Sequence, residues 1–116
     1  NKVDAASIDE VFLQKAGNLI EKNIDNPDFN VAALAGQLGM SRMQLHRKLR
    51  ALTDQSSSEF LRTIRLKRAA ELIKQDSGNI TEIAFAAGFN NLSYFAKCFR
   101  AQFGCLPSEY LNKTLR

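Results

Sequence analysis

The sequence has no tryptophan, two prolines, two cysteines and one histidine. The prolines and nearly all of the six glycines fall at the edges of apolar segments, so little interrupts helix formation within them. Cys98, Cys105 and His46 do not make a zinc ligand set. The two cysteines flank a glycine turn and are expected as free, buried thiols of a cytosolic protein. No apolar run approaches the roughly 18–20 residues of a membrane span, and no signal-peptide pattern is visible. Strict alternation never persists beyond a few residues, so no strand is expected. Paired carboxylates in an apolar setting, a nucleophile–histidine signature and a glycine-rich phosphate loop are all missing, which disfavours an enzyme. No cofactor and no metal are expected. The lack of an exposed aromatic platform disfavours RNA binding. The chain opens on Asn1 rather than Met, which points to a piece of a longer protein.

A hydrophobic content of 45% is ordinary for a globular chain and excludes wholesale disorder. The length suits one compact domain, or two very small ones sharing a core. Net charge is +4, but it is unevenly spread. Residues 1–30 hold three Lys and six Asp/Glu, whereas residues 31–116 hold 13 Lys/Arg against six Asp/Glu. Between Arg42 and Lys74 nine basic residues face three acids. Such a local excess suits a polyanion, although a solvated basic face has the same composition.

The richest stretch is Val31 to Thr53. Val31, Leu34, Ala35 and Leu38 recur at helical spacing after Asn30, a good N-cap. Gly39 stands where a left-handed residue is wanted. Ser41 with Gln44 has capping-box spacing. The next helix is expected to bury Leu45, Leu49 and Leu52 and to expose Arg42, Gln44, His46, Arg47, Lys48 and Arg50. A short helix, a glycine turn and a second helix with a basic, amide-bearing face make a helix-turn-helix. Ile80 to Phe103 repeats the plan. Ala35, Gly39 and Met40 fall on Ala84, Gly88 and Phe89 at an offset of 49; Leu45, Arg47, Leu49 and Arg50 fall on Phe95, Lys97, Phe99 and Arg100 at an offset of 50. One such pattern is a weak signal; two in register suggest equivalent units on one target.

Around these units the chain reads as helix. Residues 1–6 look like a tail. Ser7 with Glu10 starts an amphipathic helix over about 8–25, carrying Ile8, Val11, Phe12, Ala16, Leu19, Ile20 and Ile24, and stopping near Asn26-Pro27. Ser56 with Glu59 starts a long helix to about Gln75, apolar on more than one side and therefore flanked on more than one side. Arg62, Arg65, Lys67 and Arg68 are expected on its exposed parts. Asn79 with Glu82 opens the second unit, Asn90 is expected to cap its second helix over about 91–103, and Gly104 ends it. Pro107 suits the first position of a last helix. The division expected is 1–29 lead-in and covering helix, 30–55 first helix-turn-helix, 56–76 linker helix, and 77–116 second helix-turn-helix with the C-terminal helix.

This layout resembles the DNA-binding domain of the AraC-type (AraC/XylS, arabinose-regulator) transcription regulators. The matching residues are Leu34-Ala35, Gly39-Met40-Ser41, Leu45, Arg47, Leu49, Glu59-Phe60-Leu61, Ile64-Arg65, Lys67, Ala69-Ala70, Leu72-Ile73, Ile80 and Glu82-Ile83-Ala84. The most specific run is Ala87-Gly88-Phe89-Asn90, Ser93-Tyr94-Phe95, Phe99-Arg100, Phe103-Gly104 and Pro107-Ser108-Glu109-Tyr110. The chain departs from the family at Ser57 and Leu92, where proline is frequent, and at Leu106, where a capping Ser is usual. The lead-in Phe12-Leu13-Gln14-Lys15 to Asn26-Pro27-Asp28-Phe29 is similar to that of hybrid two-component sensors ending in such an output domain.

The resemblance implies an all-α fold of about seven helices, with two helix-turn-helix subdomains joined by a long linker helix. Both recognition helices would enter successive major-groove turns of duplex DNA, about 34 Å apart. The first would offer Arg42, Met43, Gln44, His46 and Arg47, the second Asn91, Leu92, Ser93, Tyr94 and Lys97. Arg47 suits guanine O6 and N7. Gln44 suits either adenine or a capping box turned back to Ser41. Met43 suits a thymine methyl or the cover of the turn; His46 suits a base or phosphate contact, or a structural role. Ser93 and Asn91 suit base edges or phosphates, and Tyr94 either the DNA backbone or the core. Ser41, Arg62 and Asn90 are expected at phosphates, with Arg42, Lys48, Arg50, Arg65 and Arg100 as further candidates. Leu45, Leu49, Phe95, Phe99, Ala35 and Ala84 are expected in the core. The resemblance further implies transcription activation as the output of a two-component system, RNA polymerase and the rest of a larger sensor chain as partners, and a cytoplasmic, nucleoid-associated place, as the cytoplasmic part of a membrane-bound sensor. The fragment itself is expected to be monomeric, since one chain carries both reading heads. A helical protein-interaction module is the competing expectation.

Overall fold

The computed structural model describes residues 2–114, and the side chains of residues 7–113. The described residues contain seven helices: α1 (Lys2–Lys22), α2 (Val31–Gln37), α3 (Arg42–Thr53), α4 (Ser57–Lys74), α5 (Ile80–Ala86), α6 (Leu92–Phe103) and α7 (Pro107–Thr114). Gly17 lies inside α1 and Gly36 inside α2, so four of the six glycines, rather than nearly all, stand at element boundaries. The chain forms two compact units. The first contains residues 1–23 and 29–62, the second residues 24–28 and 63–116.

In the first unit the core is built from Ala16 and Ile20 of α1, Phe29, Leu34 and Ala35 of α2, Leu45 and Leu49 of α3, and Leu61 of α4. Helix α1 starts at Lys2, earlier than the Ser7 start expected, and ends at Lys22 rather than near residue 25. The Ser7–Glu10 spacing is that of a capping box, but nothing upstream of it breaks a helix, and Ala5 and Ala6 are strong formers. At the other end Asn23 donates its side-chain N–H to the Leu19 carbonyl at 2.8 Å. Such local bonds compete with the helix ladder and favour its end. Ile8 and Val11, expected on the apolar face, are 62% and 61% exposed. Leu52 is half-buried.

The second unit is centred on Leu66, Ala69, Ala70 and Ile73 of α4, Ile83 and Ala84 of α5, and Phe89, Phe95 and Phe99. Its aromatic rings run in a chain. Phe89 and Phe95 have centroids 5.0 Å apart, Phe95 and Phe99 5.7 Å, and Tyr110 meets Phe99 edge-on at 5.4 Å and 79°. Pairs at these separations add about 0.5–1.5 kcal/mol each beyond area burial. They fix α6 and α7 in one packing. Cys105 is buried and Cys98 half-buried, both as free thiols.

Candidate nucleic-acid interface

Each unit contains the same short device, with the same turn bonds and a side-chain cap at the start. In the first, the Asn30 side chain accepts from Ala33 N at 3.0 Å and opens α2. Gly39 turns the chain at φ +69, a left-handed value that costs glycine little. Met40 N then donates back to the Ala35 carbonyl at 2.9 Å. In the second, Asn79 and Glu82 form a reciprocal capping box with bonds of 2.8 and 3.1 Å. Gly88 turns at φ +87, and Phe89 N donates to the Ala84 carbonyl at 2.9 Å.

Both second helices start and stop alike. Ser41 Oγ accepts from Gln44 N at 3.1 Å, and Gln44 Oε1 accepts from Ser41 N at 2.9 Å. Asn91 Oδ1 accepts from Tyr94 N at 2.9 Å. The N-cap of α6 is therefore Asn91, not Asn90. The turn Gly88-Phe89-Asn90 is one residue longer than Gly39-Met40, and Asn90 is the residue added. Residue pairing changes offset at this position for that reason. At the far ends Asp54 (φ 60) and Gly104 (φ 80) both adopt left-handed backbone, each amide bonding back to an Arg carbonyl, Arg50 or Arg100.

The inner faces of α3 and α6 are tied to the cores. Leu45, Leu49 and Phe99 have no exposed surface, and Phe95 has 1%. Ala35 and Ala84 are buried as well. The outer face of α3 presents Arg42, Met43, Gln44, His46 and Arg47, all exposed, with Met43 at 68%. Gln44 spends its carbonyl on the capping box, the second of its two expected roles. An open hollow lined by Gly39, Met40, Gln44, Arg47 and Lys48 lies at the turn end of this helix. Lys48 is half-buried, and its ammonium sits 4.3 Å from the Phe12 ring centre, a cation–π distance. Arg50 donates to the Asp54 carbonyl at 3.2 Å. These two bases thus have partners within their own unit.

The outer face of α6 presents Leu92, Ser93, Tyr94 and Lys97, all exposed, beside Asn91. Its chemistry differs from that of α3. Leu92 stands for Arg42, Ser93 for Met43, Tyr94 for Gln44, the half-buried Ala96 for His46, and Lys97 for Arg47. Tyr94 is 48% exposed, yet its ring lies 6.3 Å from that of Phe89. It therefore joins the aromatic chain and faces outward at once. Arg62 is half-buried on α4.

Arg65 corrects an expectation. Expected on an exposed part of α4, it is instead 6% exposed. Its Nη1 donates to the carbonyls of Ile24 at 2.6 Å and Ala87 at 3.1 Å, and its Nη2 to that of Asn26 at 3.0 Å. Burial presses its pKa below the usual arginine value, but a guanidinium stays charged throughout the working range. The sequence did contain the signal. Arg65 lies four residues from Leu61 and four from Ala69, on the buried stripe that continues to Ile73.

The chain matches a family described as a helix-turn-helix domain over residues 34–113. It belongs to the AraC-type helix-turn-helix domains, whose members are DNA-binding transcription regulators. It is 41% identical over 113 residues to "Histidine kinase P4" of Formosa agariphila, covering 97% of this chain and 8% of that protein. Among solved structures it is similar to an AraC-type transcriptional regulator from Chromobacterium violaceum, with 29% identity, a TM-score of 0.83 and 97% of each chain covered. It is also similar to the DNA-binding domain of AdpA, a global transcriptional factor, in complex with a target DNA. That match has 27% identity and a TM-score of 0.78, and covers 87% of this chain and 90% of the other.

Proposed function

We propose that this domain reads duplex DNA with α3 and α6 in successive major-groove turns, α4 being the connecting helix, and that it activates transcription as the output of a two-component system. The observation that carries the reading is the duplicated device, with one basic or polar outer face on each copy. The likeness to a histidine kinase supports the two-component setting. In that setting the domain works in the cytoplasm at the end of a longer sensor chain, with RNA polymerase as its partner at promoters.

The residues divide by chemistry. Arg47, with its planar fork, pairs with guanine O6 and N7. Arg42 and His46 contact base edges or phosphates beside it, and Met43 covers a thymine methyl. Gln44 keeps two amide N–H groups for the DNA while its carbonyl holds the cap. On α6 Lys97 supplies a point charge where α3 has Arg47, so it specifies less strictly. Ser93 and Asn91 reach phosphates or base edges, Leu92 makes an apolar contact, and Tyr94 lies against the sugar-phosphate backbone. Ser41, Asn90 and Arg62 orient the domain on phosphates without reading sequence.

The test is a duplex selected from a random pool by the unmodified chain. Arg47→Ala should lose about 1–3 kcal/mol on that duplex and relax preference at one base pair. Unchanged affinity on every sequence would refute the assignment. A helical interaction module would retain its partner without Arg47, Arg62 and Lys97, so heparin retention of the triple variant separates the two readings.

A further inference from the structure

Arg65 spends its guanidinium on three backbone carbonyls from two separate stretches of the second unit. Ile24 and Asn26 lie beyond the end of α1, and Ala87 is the C-cap of α5. All three carbonyls stand where regular helix has ended, so the helix ladder supplies no donor to these oxygens. Ala87 is also where the turn into α6 begins. That turn carries one more residue than its counterpart before α3, and an extra residue adds backbone freedom that must be removed. Leu38, the equivalent of Ala87 in the first unit, bonds back to Leu34 as Ala87 N bonds back to Ile83 at 3.0 Å; what Ala87 has besides is the Arg65 guanidinium on its carbonyl at 3.1 Å. Gly88 is fitted to the same group: a Cβ there would run into Arg65 Nη1 and the Ile24 carbonyl.

We infer that Arg65 is a positioning residue for the second reading helix: by bonding Ala87 together with Ile24 and Asn26, it fixes the direction in which the long turn delivers α6. The inference rests on the reading that α6 contacts DNA. It also gives the segment 24–28 a role. Those residues belong to the second unit although the chain on both sides of them belongs to the first, and Arg65 is what bonds them to the turn before α6.

A merely structural arginine and a positioning one differ in what their loss does to selectivity. The test uses the 116-residue chain and the duplex selected by it, with two further duplexes in which either half-site is scrambled. Arg65→Lys keeps the charge, but an ammonium lacks the planar fork that spans three carbonyls. Well below its melting temperature, Arg65→Lys should lose about ten-fold in discrimination at the half-site read by α6. Discrimination at the α3 half-site should stay as in the unmodified chain. Arg65→Gln, shorter and neutral, should do the same and serves if the lysine variant melts too early. Equal loss at both half-sites, no loss at either in a folded variant, or failure of both variants to fold would overturn the inference and leave Arg65 as a stabiliser only. Lys97→Ala separates the two claims. If it leaves the α6 half-site unaffected, the reading of α6 falls and this inference with it. If it weakens that half-site while Arg65→Lys does not, the inference alone falls.

Discussion

Ser56 and Glu59 show how one pair of side chains sets the start of α4. Glu59 N donates to Ser56 Oγ at 3.1 Å and Ser56 N to Glu59 Oε1 at 3.3 Å. The hydrogen bonds from Ser56, with help from nearby Arg50 and Arg62, hold the Glu59 carboxyl below its ordinary value. A carboxylate depressed in this way stabilises the fold above its unfolded pKa and loses that contribution as pH falls through the folded value. The melting-temperature gap between the unmodified chain and Glu59→Ala should therefore be full at neutral pH. It should close as pH drops below about 4, and a gap that stays constant to pH 3 would contradict the role. Caps of this kind were legible beforehand because both partners lie within four residues. Arg65 was not. Its carbonyl partners lie 41, 39 and 22 residues away, and a backbone carbonyl leaves no mark in a sequence.

Among the elements, the two turns separate what pattern reading captures from what it misses. The alternation of short helix, glycine and second helix could be seen because the apolar period and the glycine positions are both local. The cap of α6 was misplaced by one residue because Asn90 and Asn91 are equally good cap formers. Only the bond from Tyr94 N to Asn91 Oδ1 decides between them. Asn91→Ala should cost about 0.5–2 kcal/mol of stability, as loss of a cap does, while Asn90→Ala should leave stability near unchanged. Chemical denaturation of the two variants compares them directly, and equal losses would contradict the assignment. The early start of α1 was missed for a related reason. A capping-box spacing inside a continuous helix looks the same as one that begins it.

At the scale of the whole chain, charge follows the two kinds of segment. The acidic excess lies in residues 1–30 and the basic excess in residues 31–116, where both outer faces are found. The logarithm of the affinity for duplex DNA should therefore fall linearly with the logarithm of salt concentration. Between 50 and 200 mM, 6–10 phosphate contacts correspond to a loss of about 10³–10⁵. Fluorescence anisotropy across that range measures it, and a flat titration would count against both reading heads. The repeat was visible at this scale because its two copies align residue by residue. The membership of residues 24–28 in the second unit was hidden, since Asn26-Pro27 announces only that a helix stops.

The stretches 41–54 and 91–104 are interchangeable in plan. Each opens on a side chain that closes over the third amide beyond it, and each closes on a left-handed residue whose amide points back at an arginine carbonyl. Between those two fixed ends, only the outward positions differ in what they can recognise. The domain is thus built like a holder with two replaceable cartridges of equal length. On the proposed reading, a new preference would be installed by changing the outward residues of one cartridge, while its buried pair, Leu45 and Leu49 or Phe95 and Phe99, stays with its own core.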